Sequence, residues 1–204
     1  FFFGQYATYA TVDIVLEVIA VCLGLISVWL AKHNKVALYP IGMISTGIFV
    51  HLLWKWMLLG DMLIHAYYFM MSLYGWYFWQ QKKQGKTIHT ITRMSKRERW
   101  ISALLFVISL WVVYKIYLLF GMWDNGTAYV DNFTTALFFV GMWLMARRKI
   151  EHWIFWIVGD AISIPLYFYK GFTITSIQYI IFTLIAIYGY RAWKKTLNSP
   201  LQTV

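Results

Sequence analysis

Residues 82–99 read KKQGKTIHTITRMSKRER, the one long polar stretch in a chain that otherwise passes from apolar segment to apolar segment. It holds seven basic residues, Lys82, Lys83, Lys86, Arg93, Lys96, Arg97 and Arg99, and loops of this kind mark the cytoplasmic face of a membrane protein. Working outward from it, a window of roughly 19 residues finds seven predicted spans, at 12–31, 36–54, 61–80, 100–120, 131–146, 150–169 and 173–193. The fifth is short, and its polar start, Asp131-Asn132, fits the headgroup layer with the helix tilted. Residues 1–11, rich in Phe and Tyr, read as an interfacial segment, and 194–204 as a cytoplasmic tail.

Composition excludes the soluble alternatives. Of 204 residues 61% are hydrophobic, 21% aromatic and only 13% charged, too little polar surface to cover a globular core. A net charge of +10 would ordinarily raise nucleic acid as a partner. Here the basic residues sit in short clusters between apolar runs, so positive-inside bias accounts for them and no nucleic-acid partner is expected. Cys22, the single cysteine, has no partner for an internal disulfide. The start, Phe1 to Thr11, lacks a basic n-region, so the first span is expected to serve as the insertion signal.

With the N-terminus outside, fifteen Lys/Arg fall on inner segments: Lys32 and Lys35, the seven of the long loop, Arg147 to Lys149, and Arg191, Lys194 and Lys195. Only Lys55, Lys115 and Lys170 fall toward the outer side. That split predicts a multi-pass protein with its N-terminus outside and its C-terminus in the cytoplasm.

The chain also repeats itself. The third span ends Tyr74-Gly75-Trp76-Tyr77-Phe78-Trp79 and the seventh ends Tyr188-Gly189-Tyr190-Arg191-Ala192-Trp193, 114 residues on. Ala31-Lys32 after the first span is echoed by Ala146-Arg147 after the fifth, 115 residues on. Three helices are an odd number, so two copies joined directly would point opposite ways; the fourth span restores the parallel orientation. The expected fold is an all-α membrane protein of seven transmembrane helices, two parallel three-helix repeats (12–80 and 131–193) joined by a linker helix at 100–120. Such repeats are associated with carriers whose site lies near the midplane between the halves.

Three stretches, Tyr74 to Trp79, Trp153-Ile154-Phe155-Trp156-Ile157-Val158-Gly159-Asp160-Ala161-Ile162-Ser163, and Gln178-Tyr179-Ile180-Ile181 through Trp193, resemble the PnuC family of bacterial nicotinamide riboside transporters. The resemblance covers about residues 13 to 195. It implies a facilitator of a vitamin B3 precursor in the bacterial inner membrane, a relative of the SWEET sugar-carrier fold, a homotrimer, and trapping of the substrate by phosphorylation in the cytoplasm. At the place of Asp160 the family pattern often has Asn, so Asp is a departure that leaves a different aromatic cation, thiamine, open as substrate.

Several residues point to a site on chemical grounds. Asp160 sits near the midplane of the sixth span, about 15 Å from its inner end at 1.5 Å per residue. A carboxylate there is a functional hypothesis by default, and it would favour a pyridinium cation; the structural alternative is packing with a neighbouring hydroxyl such as Ser163. Ser45-Thr46 of the second span is the expected counterpart of Asp160, with close helix packing as the alternative role. Gln178 offers donors and an acceptor to ribose or carboxamide. His65 on the third span corresponds roughly to it, with a helix contact as the stronger reading. Trp153, Trp156, Tyr167, Tyr68 and Tyr188 are expected deeper or toward the interface between repeats, where a flat cation gains from the ring quadrupole. Trp79, Trp100, Trp123 and Trp193 at span ends read as interfacial anchors.

Absent features narrow the chemistry. No span has Lys or Arg near its centre, which disfavours a phosphorylated ligand. No phosphate-binding Gly-rich loop, Ser/His dyad or His-x-x-x-His pair is present, so neither ATP drive, nor an enzyme, nor a cofactor is expected. Facilitated diffusion is the simplest mechanism, with Pro40 and Pro165 as candidate flex points for rocking of the repeats.

Overall fold

The computed structural model describes residues 10–57, 59–83, 86–121, 123, 126–170 and 173–199. Among these are seven helices: α1 (Thr11–Lys32), α2 (Leu38–Lys55), α3 (Leu59–Gln80), α4 (Lys96–Leu119), α5 (Thr127–Ala146), α6 (His152–Tyr169) and α7 (Thr173–Leu197). A two-residue hairpin, β1 (Lys82–Lys83) with β2 (Lys86–Thr87), interrupts the basic stretch. All but Ala10 and Thr11 of the expected interfacial segment lies outside the described residues. By length and apolar content alone only α1 and α4 could cross a membrane among the described residues. The others dilute their apolar residues with Trp, Tyr and buried polar groups such as Asp160 and Ser163.

The helices close into a ring. α1 packs on α2, α2 on α3, α3 on α5, α5 on α6, α6 on α7, and α7 back on α1, while α4 lies outside against α5. A half-turn that carries α1, α2 and α3 onto α5, α6 and α7 maps this ring onto itself. It makes the α3–α5 and α1–α7 seams equivalent, as two parallel three-helix repeats require.

Register is set by the helix ends. Asn34 and Arg148, 114 residues apart, adopt left-handed φ of 53° and 54°. Behind each, the next residue donates back to the carbonyl five residues before it in a Schellman closure, Lys35 N to Leu30 O (3.0 Å) and Lys149 N to Leu144 O (2.9 Å). The same spacing relates the residues that crowd two glycines. A Cβ on Gly75 would lie 2.6 Å from the Tyr39 hydroxyl, and one on Gly189 would lie 2.6 Å from Trp153 Cη2. These bare helix faces let α3 and α7 close on α2 and α6. The echo at 115 residues is therefore one residue out of register, which matters for the site.

One end of the bundle carries the basic segments and the largest aromatic core. The indole of Trp79 donates across one seam to Ala146 O (3.1 Å), and that of Trp193 across the other to Ala31 O (2.9 Å). Both indoles are buried, so they are core residues rather than surface anchors. Trp153, Tyr39 and Ile91 complete this cluster. Ile91 comes from the polar segment itself, whose backbone pairs with the α5–α6 turn through Thr92 N to Arg148 O (3.1 Å) and Ile150 N to Thr92 O (3.0 Å). The Arg148 guanidinium lies 4.1 Å from the Trp79 ring and donates to His89 O, contacts that offset the left-handed backbone of a side-chain-bearing residue. α4 starts at a capping box in which Ser95 Oγ accepts from Glu98 N and Glu98 Oε2 from Ser95 N.

Pro40 falls in the first turn of α2, where its missing N–H would have had no helical partner anyway. It is not a mid-helix flex point. Pro165 is inside α6 and leaves the Ala161 carbonyl without its helical donor.

Candidate functional site

The ring interior is furnished chiefly by the second repeat. Asp160, on the inner face of α6, is 2% exposed, and Ser163 one turn on is fully buried. Across from them Tyr179 of α7 stacks on Phe138 of α5 (6.2 Å between centroids, 7° between planes), and Phe138 stacks in turn on Trp156 of α6 (5.2 Å, 25°). Tyr167 packs on Tyr179 at 5.1 Å. Tyr68 reaches in from α3 and stands edge-on to Phe139 at 5.9 Å. The Asp160 carboxyl lies within electrostatic range of the Tyr68 and Tyr179 phenols, which come from two helices, α3 and α7. Gly159 makes this possible, because a Cβ there would lie 2.9 Å from Phe138 Cδ1 and Cζ and closer still to Cε1.

The register of 114 shows what the first repeat offers in return. The contact between Phe138 and Gly159 is matched by one between Gly24 and Ser45, and the contact between Gly141 and Trp156 by one between Ser27 and Gly42. Bulk in one half is matched by small residues in the other. The counterpart of Asp160 is therefore Thr46, and that of Ser45 is Gly159; Ser45 and Asp160 do not face each other across the axis. Ser45 is spent on packing, its hydroxyl donating to Ala20 O of α1 at 2.7 Å. Thr46 donates within its own helix, to Gly42 O at 2.8 Å, as buried hydroxyls in membrane helices do.

The remaining expected residues divide. Asp160, Ser163, Trp156 and Tyr68 come together. Trp153 does not: it is 1% exposed at the basic end, between His152 (4.3 Å) and Trp193 (5.9 Å). Tyr188 is 55% exposed on the outer face of α7, with the Lys32 ammonium 5.7 Å from its ring. Gln178 lies on the α7 stripe of Ile181 and Ile185, which faces α1. His65 contacts Asp61 O (3.0 Å) and the Phe49 ring (4.8 Å), a helix contact. It is the register counterpart of Tyr179, which the sequence alone did not single out; neither did it single out Phe138.

At the far end of the bundle Lys55 pairs with Asp13 (2.7 Å), and Lys170 pairs with Asp131. Lys115 stands 5.9 Å from the rings of Trp111 and Tyr114 on α4. At the basic end Glu98 takes Lys149 (3.0 Å) and Arg147 (3.3 Å). Burial alone would raise the Glu98 pKa; hydrogen bonds from Ser95 and Lys149 more than offset it and hold the carboxyl below its usual range. Among the described residues no group of three or more metal-ligating side chains is present.

A ring of two parallel helix triplets around a buried carboxylate and stacked aromatics defines a polytopic membrane carrier. Residues 14–195 match the nicotinamide mononucleotide transporter family, and the chain belongs to that family, whose members include the PnuC proteins. It is 24% identical over 201 residues to the nicotinamide riboside transporter PnuC of Escherichia coli strain K12, covering 87% of this chain and 84% of that one. It is 25% identical over 178 residues to the riboflavin/roseoflavin transporter RibM of Streptomyces davaonensis, covering 84% and 80%. The crystal structure of the vitamin B3 transporter PnuC superposes with a TM-score of 0.67 at 20% identity, over 91% of this chain and 83% of that one. The fold is that of a transporter, and the five helices that fall short on apolar length alone are membrane helices with the other two.

Proposed function

We propose that this chain carries nicotinamide riboside across the bacterial inner membrane by alternating access, down its gradient, with phosphorylation in the cytoplasm retaining the product. The observation that carries this reading is Asp160, 2% exposed beside Tyr68, Trp156, Phe138 and Tyr179. A pyridinium is flat and cationic; rings offer their negative faces and the carboxylate offers a counter-charge. No Lys or Arg joins this group among the described residues, so a phosphate would find no cation there. That favours the nucleoside over the mononucleotide in the family's name. With Asp160 sealed from both ends, substrate reaches it only when the helices part. The basic clusters gather at one end of the bundle, and positive-inside bias puts that end in the cytoplasm, with the N-terminus outside. A homotrimer is the assembly we assign, on the family resemblance.

Thiamine is the second reading. Its cationic thiazolium suits a full carboxylate where the family pattern often has Asn, and the riboflavin transporter among the relatives shows that vitamin specificity within the family varies. Binding of nicotinamide riboside, nicotinamide mononucleotide, thiamine and riboflavin to purified protein, followed by uptake into proteoliposomes, separates these readings. The riboside is expected to bind most tightly and to equilibrate without an ion gradient. Equal or tighter binding of the mononucleotide, or accumulation only with a gradient, would overturn the proposal.

A further inference from the structure

The two seams between the repeats are equivalent by symmetry and unlike in construction. At the α3–α5 seam Tyr67 lies flat on Phe139 (4.1 Å between centroids, 29°) and its hydroxyl donates to Phe139 O at 2.9 Å. α4 covers the same seam from outside: Val113 and Tyr117 are buried in a cluster with Phe139, against which Ile64, Tyr67 and Tyr68 pack. The basic segment ties its inner end, with Thr92 paired to the α5–α6 turn and Glu98 bridging to Lys149. At the α1–α7 seam the register of 114 puts Leu25 in the place of Phe139 and Ile181 in that of Tyr67. Those two residues, with Ile26, Trp29 and Ile185, line an apolar groove of about 250 Å³ that no side chain of the described residues fills. No eighth helix among the described residues covers it. The cross-seam contacts there gather at the basic end, at Trp193 with Ala31 O and Lys32 with Tyr188.

We infer that the two triplets do not rock symmetrically: the α3–α5 seam is the fixed hinge, Tyr67 is the positioning residue that holds it, and the site opens by parting of α1 from α7. The physical reason is the difference in what must be broken. Opening α3–α5 separates a stacked ring pair, exposes the Tyr67 hydroxyl and the Phe139 carbonyl to lipid, and parts Ile64, Tyr67 and Tyr68 from the α4–α5 cluster they pack against. Opening α1–α7 along the groove separates aliphatic side chains with no polar or ring contact between them. At the basic end it also costs the Lys32–Tyr188 contact, the Ala31–Trp193 packing and one indole hydrogen bond, the last matched by Trp79 at the other seam. Alternating access as such rests on the function proposed above; the choice of seam rests on the packing.

The test uses two cysteine pairs at register-equivalent positions in a Cys22→Ser background, Leu25→Cys with Ile181→Cys and Tyr67→Cys with Phe139→Cys. Each pair is compared with its own reduced form, since the second replaces Tyr67 itself: oxidative crosslinking of the first is expected to lower vitamin uptake at least tenfold, reversibly with reductant, and crosslinking of the second to leave at least half. Equal loss at both seams, or loss only at 67/139, overturns the inference. Ile181→Tyr with Leu25→Phe, which moves the ring pair of the closed seam into the open groove, needs no crosslink. It is expected to slow uptake at least tenfold at unchanged equilibrium affinity, and full-speed uptake counts against the inference. Hydrogen exchange of the background protein in nanodiscs needs no substrate. Faster exchange in α1 and α7 than in α3 and α5 is expected, and equal exchange overturns the seam assignment. If the background protein transports none of the four vitamins, the functional proposal fails alone, and the exchange pattern still decides the seam.

Discussion

Gly159→Ala tests the architecture of the site with a single methyl. The new Cβ would meet Phe138 Cδ1 and Cζ at 2.9 Å, where 3.4 Å or more is ordinary contact. To restore carbon–carbon contact near its optimum of about 3.5–4.0 Å the ring must retreat by roughly 1 Å. It has little room to retreat into, because Trp156 lies stacked at 5.2 Å and Tyr179 at 6.2 Å. Overpacking of this kind costs about 1–3 kcal/mol, and loss of a ring stack adds about 0.5–1.5 kcal/mol. If the cost falls on the substrate-binding conformation, affinity drops about tenfold per 1.4 kcal/mol, so a loss of roughly ten- to a thousandfold is expected. Titration of the riboside against intrinsic tryptophan fluorescence reads this directly, since Trp156 is in the stack. Phe138→Leu on top of Gly159→Ala should relieve the clash and recover stability without recovering affinity. Wild-type affinity in Gly159→Ala would refute the assignment of Phe138 and Tyr179 to the site.

Asp160→Asn removes the counter-charge at nearly constant shape. At about 5 Å and an effective dielectric near 20 an ion pair contributes about 3 kcal/mol, so riboside affinity should fall on the order of a hundredfold while neutral riboflavin is unaffected; a uniform loss for both, read by calorimetry, would argue for a packing role. Trp193→Phe deletes the indole donor to Ala31 O and should cost about 1 kcal/mol of stability, as should Trp79→Phe at the matching position, in thermal melts. Glu98→Gln should lower the melting temperature at neutral pH. The carboxyl is held below its usual value, so its contribution is present above the ordinary carboxylate range and is lost as pH falls through the depressed value. The difference between wild type and variant should therefore close on acidification, and a gap that widens there would contradict the ion-pair assignment.

The helices and their order were legible because each apolar run carries basic residues at its inner end and the chain repeats its Tyr-Gly-aromatic endings. The expected starts of the fourth and fifth spans, 100 and 131, miss the observed Lys96 and Thr127. For α4 the Ser95-x-x-Glu98 capping box in the sequence marks the true start, hidden behind its charges. For α5 the polar residues Asp131 and Asn132 lie within the helix, one paired with Lys170 and the other donating to Leu110 O of α4 at 3.1 Å.

Asp160 was legible because a lone carboxylate in the middle of an apolar run is too costly to bury without a task. The rings around it were legible only in part: Trp156 and Tyr68 fall beside it, Trp153 and Tyr188 do not, and Phe138 and Tyr179 went unnamed, since in a chain one-fifth aromatic the residue type carries no address. A one-residue choice between displacements of 115 and 114 also decided whether Ser45 or Thr46 stood opposite Asp160, and only the helix caps resolve it. Applied to His65, the correct displacement would have led to Tyr179.

The exchanged volumes at Gly24, Ser45, Phe138 and Gly159 have an evolutionary corollary. A tandem of two second halves would bring four of these rings, two copies each of Phe138 and Trp156, to one interior; a tandem of two first halves would bring only glycine and serine to the same addresses. Mass at these addresses is thus shared between the halves rather than duplicated, and a change of bulk on one side of the axis calls for its complement on the other.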